Sequence, residues 1–422
     1  MAQLTDDCFA FSGPLMPIEK MEALIAARIV PVKETERVRL HDARTRVTAT
    51  DVKAPVDLPL FDNSAVDGYA VRHADLNGET RLKISGRVTA GRRADAVLGA
   101  GETIRIFTGA PMPAGADTVF MQEDVKADGD SVTLPSGLKK GANRRLAGED
   151  LRAGSVAIPA GTVLEARHIA LAAALGLTEL DVRRRLKVAI FSTGDEVVEP
   201  GTKRGGAAIY DANRYLLSDL LERLGAVVTD LGILADKPEE LARALHAAAA
   251  DHDLIITSGG VSTGEADYVR DAVERIGKLV FWRVAIKPGR PVAMGVVRGE
   301  DAGSGAAFVG LPGNPVAVFV TFVRVVRPLL LRLAGAEPQK LVALPVRAAF
   351  AFRKKKGRRE YVRVVLRRAP DGEIEAVKHP QEGAGIITSL TETDGLLEFP
   401  DDVTEIRSGA RVGFLSYAQL TG

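Results

Sequence analysis

Residues 254–276 read LIITSGGVSTGEADYVRDAVERI. The apolar run Leu254-Ile255-Ile256 is of strand type, TSGGVSTGEADY at 257–268 is a glycine-rich loop, and the remainder is amphipathic at helical spacing. Strand, loop and helix start therefore follow one another without a gap. Gly259, Gly260 and Gly264 allow a ligand close to the backbone, Ser258, Ser262 and Thr263 add hydroxyls, and a helix N-terminus favours anions. Two readings stand at this point: an anion site, or a βα turn with capping hydroxyls. No Lys-Ser or Lys-Thr follows the glycines and the dinucleotide spacing is missing, so the generic nucleotide motifs gain little.

The same alternation extends in both directions. KVAIFST, AVVTDLGIL, LVFWRVAI, PVAMGVV and AAFVGL read as strands, and NRYLLSDLLERLG, PEELARALHAAAA and DYVRDAVERIG read as helices. This predicts a mostly parallel, three-layer α/β domain over about 180–335, with ligands beyond the carboxyl ends of its strands. Before it, IEKMEALIAARIV is a helix stopped by Pro31, and 38–175 is mainly short strands and turns. After 341 the helices give way to short strands, a small β-barrel or sandwich of about 80 residues. The fold class is thus multidomain α/β plus β.

Composition narrows the function. Fifty-six basic and 55 acidic residues leave a formal charge of +1, which argues against a nucleic-acid footprint. The single cysteine, Cys8, excludes an intramolecular disulfide and a cysteine-based zinc cage, and fits a reducing compartment. The start, MAQLTDDCFAF, lacks the features of a signal peptide, so cytoplasm is the expected location. The most apolar segment, 315–335, carries Arg324, Arg327, Pro328 and Arg332 and reads as a buried helix rather than a membrane span.

Functional-looking residues follow the α/β strands. FSTGDE brings Asp195 and Glu196, LGILAD brings Asp236, the opening loop brings Asp267, and WRVAIKPGRP brings Arg283 and Lys287. If the strands are parallel neighbours, their ends at 193, 234 and 257 share one rim. Simpler readings exist for each. Asp236 with Glu239 makes a capping box, Asp267 suits a helix N-terminus, and Asp211 and Asn213 look like helix-starting residues. Pro288-Gly289 suggests a type II turn holding Lys287, and LPGNPV at 311–316 a turn with Asn314 as cap and Pro315 as first helical residue. In the front half Asp67-Gly68 reads as a turn pair, Thr108 follows a strand, and Asp150 neighbours Arg144 and Arg145. The run FRKKKGRRE at 352–360 is a solvated turn on composition alone.

Taken in order, FDNSAVDGYAVR, RIFTGAP, GED, FSTGDE, SGGVSTGEADY, WRVAIKPGRP and LPGNPV resemble the molybdopterin molybdotransferase family over nearly the whole chain. The resemblance implies insertion of molybdate into adenylylated molybdopterin with Mg²⁺, releasing AMP and molybdenum cofactor. It implies an elongated homodimer with a shared active site and a molybdopterin adenylyltransferase as a partner, with neither nucleic acid nor membrane involved. It also implies four domains: a discontinuous one over 14–54 and 147–180, a β-rich insert over 55–146, the molybdopterin-binding α/β domain over 181–336, and a C-terminal barrel over 337–422. By position, the catalytic residues fall on Asp67, Thr108, Asp150, Glu196, Asp236 and Asp267, with Asp236 and Asp267 toward the metal. The pterin and AMP side falls on Ser258, Gly259, Gly260, Gly264, Pro312, Gly313, Asn314 and Pro315, and molybdate on Lys287, Arg283 and Arg358. A dianion held by lysine and arginine, and a pyrophosphate neutralised by carboxylate-bound Mg²⁺, agree with this chemistry.

Three departures stand out: Arg283 where the family commonly has Lys, and Ala317 and Ala384 where Ser is often found. Two other functions share the α/β module, the adenylyltransferase and a gephyrin-like scaffold. The β-rich front half and C-terminal barrel argue against the first. The want of a long linker or second module argues against the other.

Overall fold

The computed structural model describes residues 15–92, 97–260, 268–299, 305–337 and 339–421. The chain forms two compact units: one comprises Asp51–Ala160 and Ala166–Leu180, the other Met1–Thr50, Gly161–Glu165 and Asp181–Gly422. Helix α1 (Ile18–Arg28) opens the larger unit and buries Ile18, Met21 and Ile25, the i, i+3, i+7 face of its sequence.

The smaller unit is built on β1 (Gly68–Val71), β2 (Thr80–Val88), β3 (Glu102–Ile106), β4 (Thr118–Met121), β5 (Lys126–Asp128) and β6 (Ser131–Leu134), in the order β4-β1-β3-β2-β6-β5. Only β2 and β3 of these neighbours run parallel. Helix α2 (Ala166–Ala174) closes this part of the chain. Asp67-Gly68, expected as a turn pair, instead leads into β1. A Cβ on Gly68 would lie 1.7 Å from the Phe120 carbonyl oxygen, so close strand approach demands this glycine.

In the larger unit, β7 (Lys187–Thr193), α3 (Asn213–Arg223), β8 (Val227–Leu234), α4 (Pro238–Asp251), β9 (Leu254–Ser258), α5 (Tyr268–Ile276), β10 (Gly277–Arg283), β11 (Ile286–Lys287), β12 (Pro291–Arg298) and β13 (Gly305–Leu311) follow in turn. Among the described residues the sheet has six strands in the order β8-β7-β9-β13-β12-β10. The β8-β7-β9-β13 part is parallel, and β12 and β10 add antiparallel. Alternate residues of β7 show the three layers. Val188 and Ile190 pack with α1, α3 and the 316–333 helix, whereas Ala189 and Phe191 pack with α4 and α5.

That long helix consists of α6 (Pro315–Thr321), a π-helical turn at Phe322–Val326, and α7 (Arg327–Leu333). Its apolar side chains are buried as the sequence predicts. No helix among the described residues is long and apolar enough to cross a membrane.

The C-terminal strands β14 (Leu344–Ala348), β15 (Arg359–Arg368), β16 (Ile374–Lys378), β17 (Gly395–Phe399) and β18 (Arg411–Ser416) run in the order β15-β16-β14-β18-β17, and β17 pairs back onto β15. The result is a closed barrel, which leaves no open edge. Its interior holds Val346, Val364, Leu397, Phe399 and Phe414. Strand β11 of the α/β part pairs parallel with the start of β15, placing Lys287 opposite Glu360.

Candidate active site

The parallel strands bring their carboxyl ends to one level. Thr193 is the register partner of Leu234, Ser192 that of Ser258, and Ser258 that of Leu311. Beyond this rim lies a crevice of about 250 Å³ that brings together Ser192, Thr193, Glu196, Asn213, Ser258, Gly259, Gly313 and Pro315, with Gly385 and Ile387 from the barrel. Five of the residues assigned from sequence thus share one cavity: Glu196, Ser258, Gly259, Gly313 and Pro315.

Its floor is a hydrogen-bond network centred on Asn213. The Asn213 Nδ2 donates to Ser258 Oγ at 2.8 Å and to the Gly313 carbonyl at 2.7 Å, tying the start of α3 to the ends of β9 and β13. A carbonyl accepts only, so this contact fixes the amide orientation and leaves Oδ1 as the other end. Asn213 Oδ1 and Ser192 Oγ are both buried without a hydrogen-bond partner. Buried polar atoms are seldom left so, and these two lie in residues lining the crevice. Asp211, expected to start a helix, does so: its Oδ1 accepts the N–H groups of Asn213 at 3.1 Å and Arg214 at 3.2 Å.

Gly259 lines the crevice and Gly260 packs behind it. Gly259 and Gly260 have φ +92° and +65°. A Cβ on Gly260 would meet Thr193 Cγ2 and Val269 Cγ2, each at 2.6 Å. Asp236, expected in a capping box with Glu239, is not a cap: α4 starts at Pro238 after Lys237 with no side-chain cap bond, and Asp236 Oδ1 instead accepts the Thr193 hydroxyl. Asn314 is at the N-cap position of α6 but makes no capping bond either. The Ala384 carbonyl accepts the Val316 N–H at 3.0 Å, which brings the 383–387 loop onto the start of this helix through backbone alone. Ala384 therefore needs no hydroxyl for this docking.

Lys287 and Arg358 form a second group. Lys287 Nζ lies 3.2 Å from Glu360 Oε2, and Arg358 Nε donates to Glu360 Oε1 at 2.7 Å. Glu360 is buried, Lys287 half-exposed. The carboxylate thus holds both cations at one place, a positioning that Coulomb attraction in a partly dry setting strengthens. Lys287–Pro288 is a cis peptide, and Gly289 after it has φ +102°, a backbone that suits glycine. A Cβ on Gly289 would lie 2.2 Å from Thr321 Oγ1 and 3.2 Å from the Ala317 carbonyl, so this turn sits directly against α6. Arg283 ends β10 and is exposed. The Lys378 contact, with Lys287 and Arg363 adding, holds Glu382 below the usual carboxylate range, and Glu382 lies three residues before Gly385 of the crevice.

In the smaller unit Asp67 Oδ1 accepts the Thr108 N–H at 2.8 Å and its hydroxyl at 2.7 Å. Those two donors, the backbone one first, hold the Asp67 carboxyl below its usual range. Asp150 is exposed on a turn. Gly264 and Asp267, with Ser262 and Thr263, lie outside the described residues. Among the described residues no three His, Cys, Asp or Glu side chains converge as a metal cage. Ser192 and Glu360 are site residues without a role in the sequence analysis, and Asn213, expected only to start a helix, joins them. Ser192 lies in the FSTGDE motif, and Glu360 is the one acid closing the basic run.

A crevice at parallel strand ends, in an α/β part whose Lys287 meets Arg358 of a closed barrel on one buried carboxylate, defines the class as an α/β enzyme with its site beyond the strand ends. The comparisons make the class specific. Residues 16–176 match the MoeA N-terminal region (domain I and II), 189–332 a probable molybdopterin binding domain, and 345–417 the MoeA C-terminal region (domain IV). A molybdopterin molybdenumtransferase of Haemophilus influenzae is 37% identical over 391 residues, 92% of this chain and 95% of that one. One from Nostoc sp. is 36% identical over 409 residues, 94% and 93% of the two chains. The crystal structure of a molybdopterin biosynthesis moeA protein from Pyrococcus horikoshii superposes with a TM-score of 0.77 at 29% identity, covering 96% of this chain and all of that one. The chain belongs to the molybdopterin molybdenumtransferase (MoeA) family.

Proposed function

We propose that the crevice beyond β7, β9 and β13 is where this transferase inserts molybdenum into molybdopterin. The activity itself follows from the family. The observation that carries the location is the pair of orphaned buried polar atoms, Asn213 Oδ1 and Ser192 Oγ, in residues that line one cavity with Ser258 and Gly259.

The substrate in this reading is adenylylated molybdopterin, with AMP as leaving product. Ser258, Gly259, Gly260 and Gly264, with Pro312, Gly313, Asn314 and Pro315, would line the pterin and nucleotide, and Lys287, Arg358 and Arg283 would take molybdate. Lys287 and Arg358 share Glu360, so an arriving dianion meets cations already placed. The donor set at the rim is hard oxygen, which suits Mg²⁺ held by one or two carboxylates and substrate phosphate. Asp236 and Asp267 would hold it, and its chemistry there is neutralisation of pyrophosphate charge. Asp67, Thr108, Asp150 and Glu196 complete the catalytic set. In a homodimer, the module carrying Asp67, Thr108 and Asp150 would serve the partner's crevice, which a C₂ interface provides twice. The four-domain division, a cytoplasmic location and an adenylyltransferase that hands over its product complete the proposal.

The test is turnover of adenylylated molybdopterin with molybdate, reading AMP release. Release that requires molybdate is the expected result. ATP-dependent adenylylation instead would make the chain an adenylyltransferase, and a stoichiometric protein ligand without turnover would make it a scaffold. Mixing Asp67→Ala with Asp267→Asn chains should restore activity in mixed dimers, one site being intact and the other doubly damaged. Subunit exchange without restored activity would put the whole site in one chain.

A further inference from the structure

On the larger unit lies a second cavity, of about 310 Å³, bounded by α1, the 323–332 helix, Ala336, residues 339–341 and the barrel residues Arg359 and Glu398. Ile25, Leu331 and Leu341 give it an apolar wall. Arg324, Arg327, Arg332, Lys340 and Arg359 line it, with Glu22 and Glu398 as the only lining carboxylates among the described residues. We propose that this cavity is a binding site for a small organic phosphate, a dianionic phosphate monoester on a compact apolar body, separate from the molybdenum-transfer crevice.

The charges do not cancel locally. Arg359 is matched by Glu19 at 2.7 Å, Asp401 at 3.3 Å and Glu398 at 3.5 Å, and Arg332 Nε donates to the Ile29 carbonyl at 3.0 Å. Arg324 has Glu22 at 3.3 Å. Arg327 has only the neutral Gln339 Oε1, at 3.2 Å, and makes no ion pair with a described residue. Both Arg324 and Arg327 are more than nine-tenths buried, and the Nε–H of each is buried without an acceptor. Burial and the neighbouring Arg324 push the Arg327 guanidinium down from its ordinary value. A buried guanidinium without a counter-charge is costly, and a phosphate in the cavity supplies the charge that Arg327 lacks and an acceptor for the orphaned Nε–H groups of both arginines.

The backbone is arranged for it. Arg324 lies within the π-helical turn, and the Arg327 N–H bonds to the Phe322 carbonyl, five residues back. Pro328, within the first turn of α7, has no N–H to give, so the regular ladder is interrupted at the position of the two arginines. Strand alternation separates this cavity from the molybdate cations: in β15, Glu360 turns to Lys287 and Arg358, and its neighbour Arg359 turns the other way, into the cavity. The arginines that looked out of place in the apolar run 315–335 thereby acquire a use.

The experiment uses the full chain in its native assembly, with phenyl phosphate as probe, followed by calorimetry and thermal shift. Phenyl phosphate should bind at least about tenfold tighter than inorganic phosphate, because only it has the apolar body, and Arg327→Met should weaken it at least about tenfold. Without probe, Arg327→Met should unfold at the same or a higher temperature, since it removes a buried unpaired charge. Ala26→Phe, at an exposed position of α1 on the cavity edge, should block the probe and leave the arginines untouched, which covers the case of an Arg327 variant that does not fold. Absence of binding at millimolar probe overturns the proposal. So does binding that neither variant alters, or a self-association that Arg327→Met abolishes, which would give the cavity to a second copy of the chain.

Discussion

Replacing Asn213 tests the crevice most directly, because one amide makes three separable contributions. Its Nδ2 holds Ser258 Oγ at 2.8 Å and the Gly313 carbonyl at 2.7 Å, and its Oδ1 is left over. A neutral hydrogen bond contributes roughly 0.5–1.5 kcal/mol, so Asn213→Ala should lower folding stability by about 1–3 kcal/mol. Loss of a ligand contact at Oδ1, about 1 kcal/mol, should raise KM for the pterin substrate about fivefold. Asn213→Asp keeps the shape but sets a carboxylate oxygen against the Gly313 carbonyl and adds negative charge where an anion is expected. There the penalty should reach about 2–4 kcal/mol, roughly 30-fold or more in KM. Neither variant touches the reacting atoms in this reading, so kcat should move much less than KM. Urea unfolding and steady-state AMP release measure the two effects. Equal KM for both variants and the unaltered enzyme would remove the crevice from substrate binding.

Gly260→Ala should destabilise by about 2–4 kcal/mol, combining a left-handed backbone with overpacking against Thr193 and Val269. Gly313→Ala, whose Cβ meets nothing within 4 Å, is the matched control and should stay within about 0.5 kcal/mol; equal unfolding midpoints would refute the argument. Lys287→Ala and Arg358→Ala should each raise the molybdate requirement about tenfold or more and disturb pterin binding less, whereas equal weakening of both would assign these cations to the pterin. Thr108→Val removes one of the two donors to Asp67, so the Asp67 pKa should rise toward its ordinary 3.8 in an NMR titration. Because the folded pKa is depressed, the stability this contact contributes is present above that value and fades as pH falls through the folded pKa, and Thr108→Val should shrink the loss. An unchanged Asp67 titration would show that the hydroxyl does not matter.

The architecture was legible in the sequence to the extent that it rests on local periodicity. The switch from period two to period 3.6 and back marked the α/β part and the barrel, since each element must bury one face. Helix α1, the strand ends and the buried 315–333 helix followed from apolar spacing, and the rim followed from parallel neighbours alone. The family motifs carried the rest of the assignment, because they record chemistry at fixed spacings.

What tertiary structure decided was partnership. Asp236 and Glu239 have the spacing of a capping box, yet a hydroxyl on a neighbouring strand, Thr193, won the carboxylate. Glu360 looked like one more charge at a basic turn, and only the pairing of β11 with β15 set it opposite Lys287. Asn213 starts a helix in the sequence and bridges two strand ends in the fold. Local pattern specifies which backbone each residue adopts, because its cause lies within a few residues. Which side chains meet depends on strand order and register, where contributions 40 to 300 residues apart along the chain compete for the same few atoms, as the Thr193–Asp236 and Arg324–Glu22 contacts do.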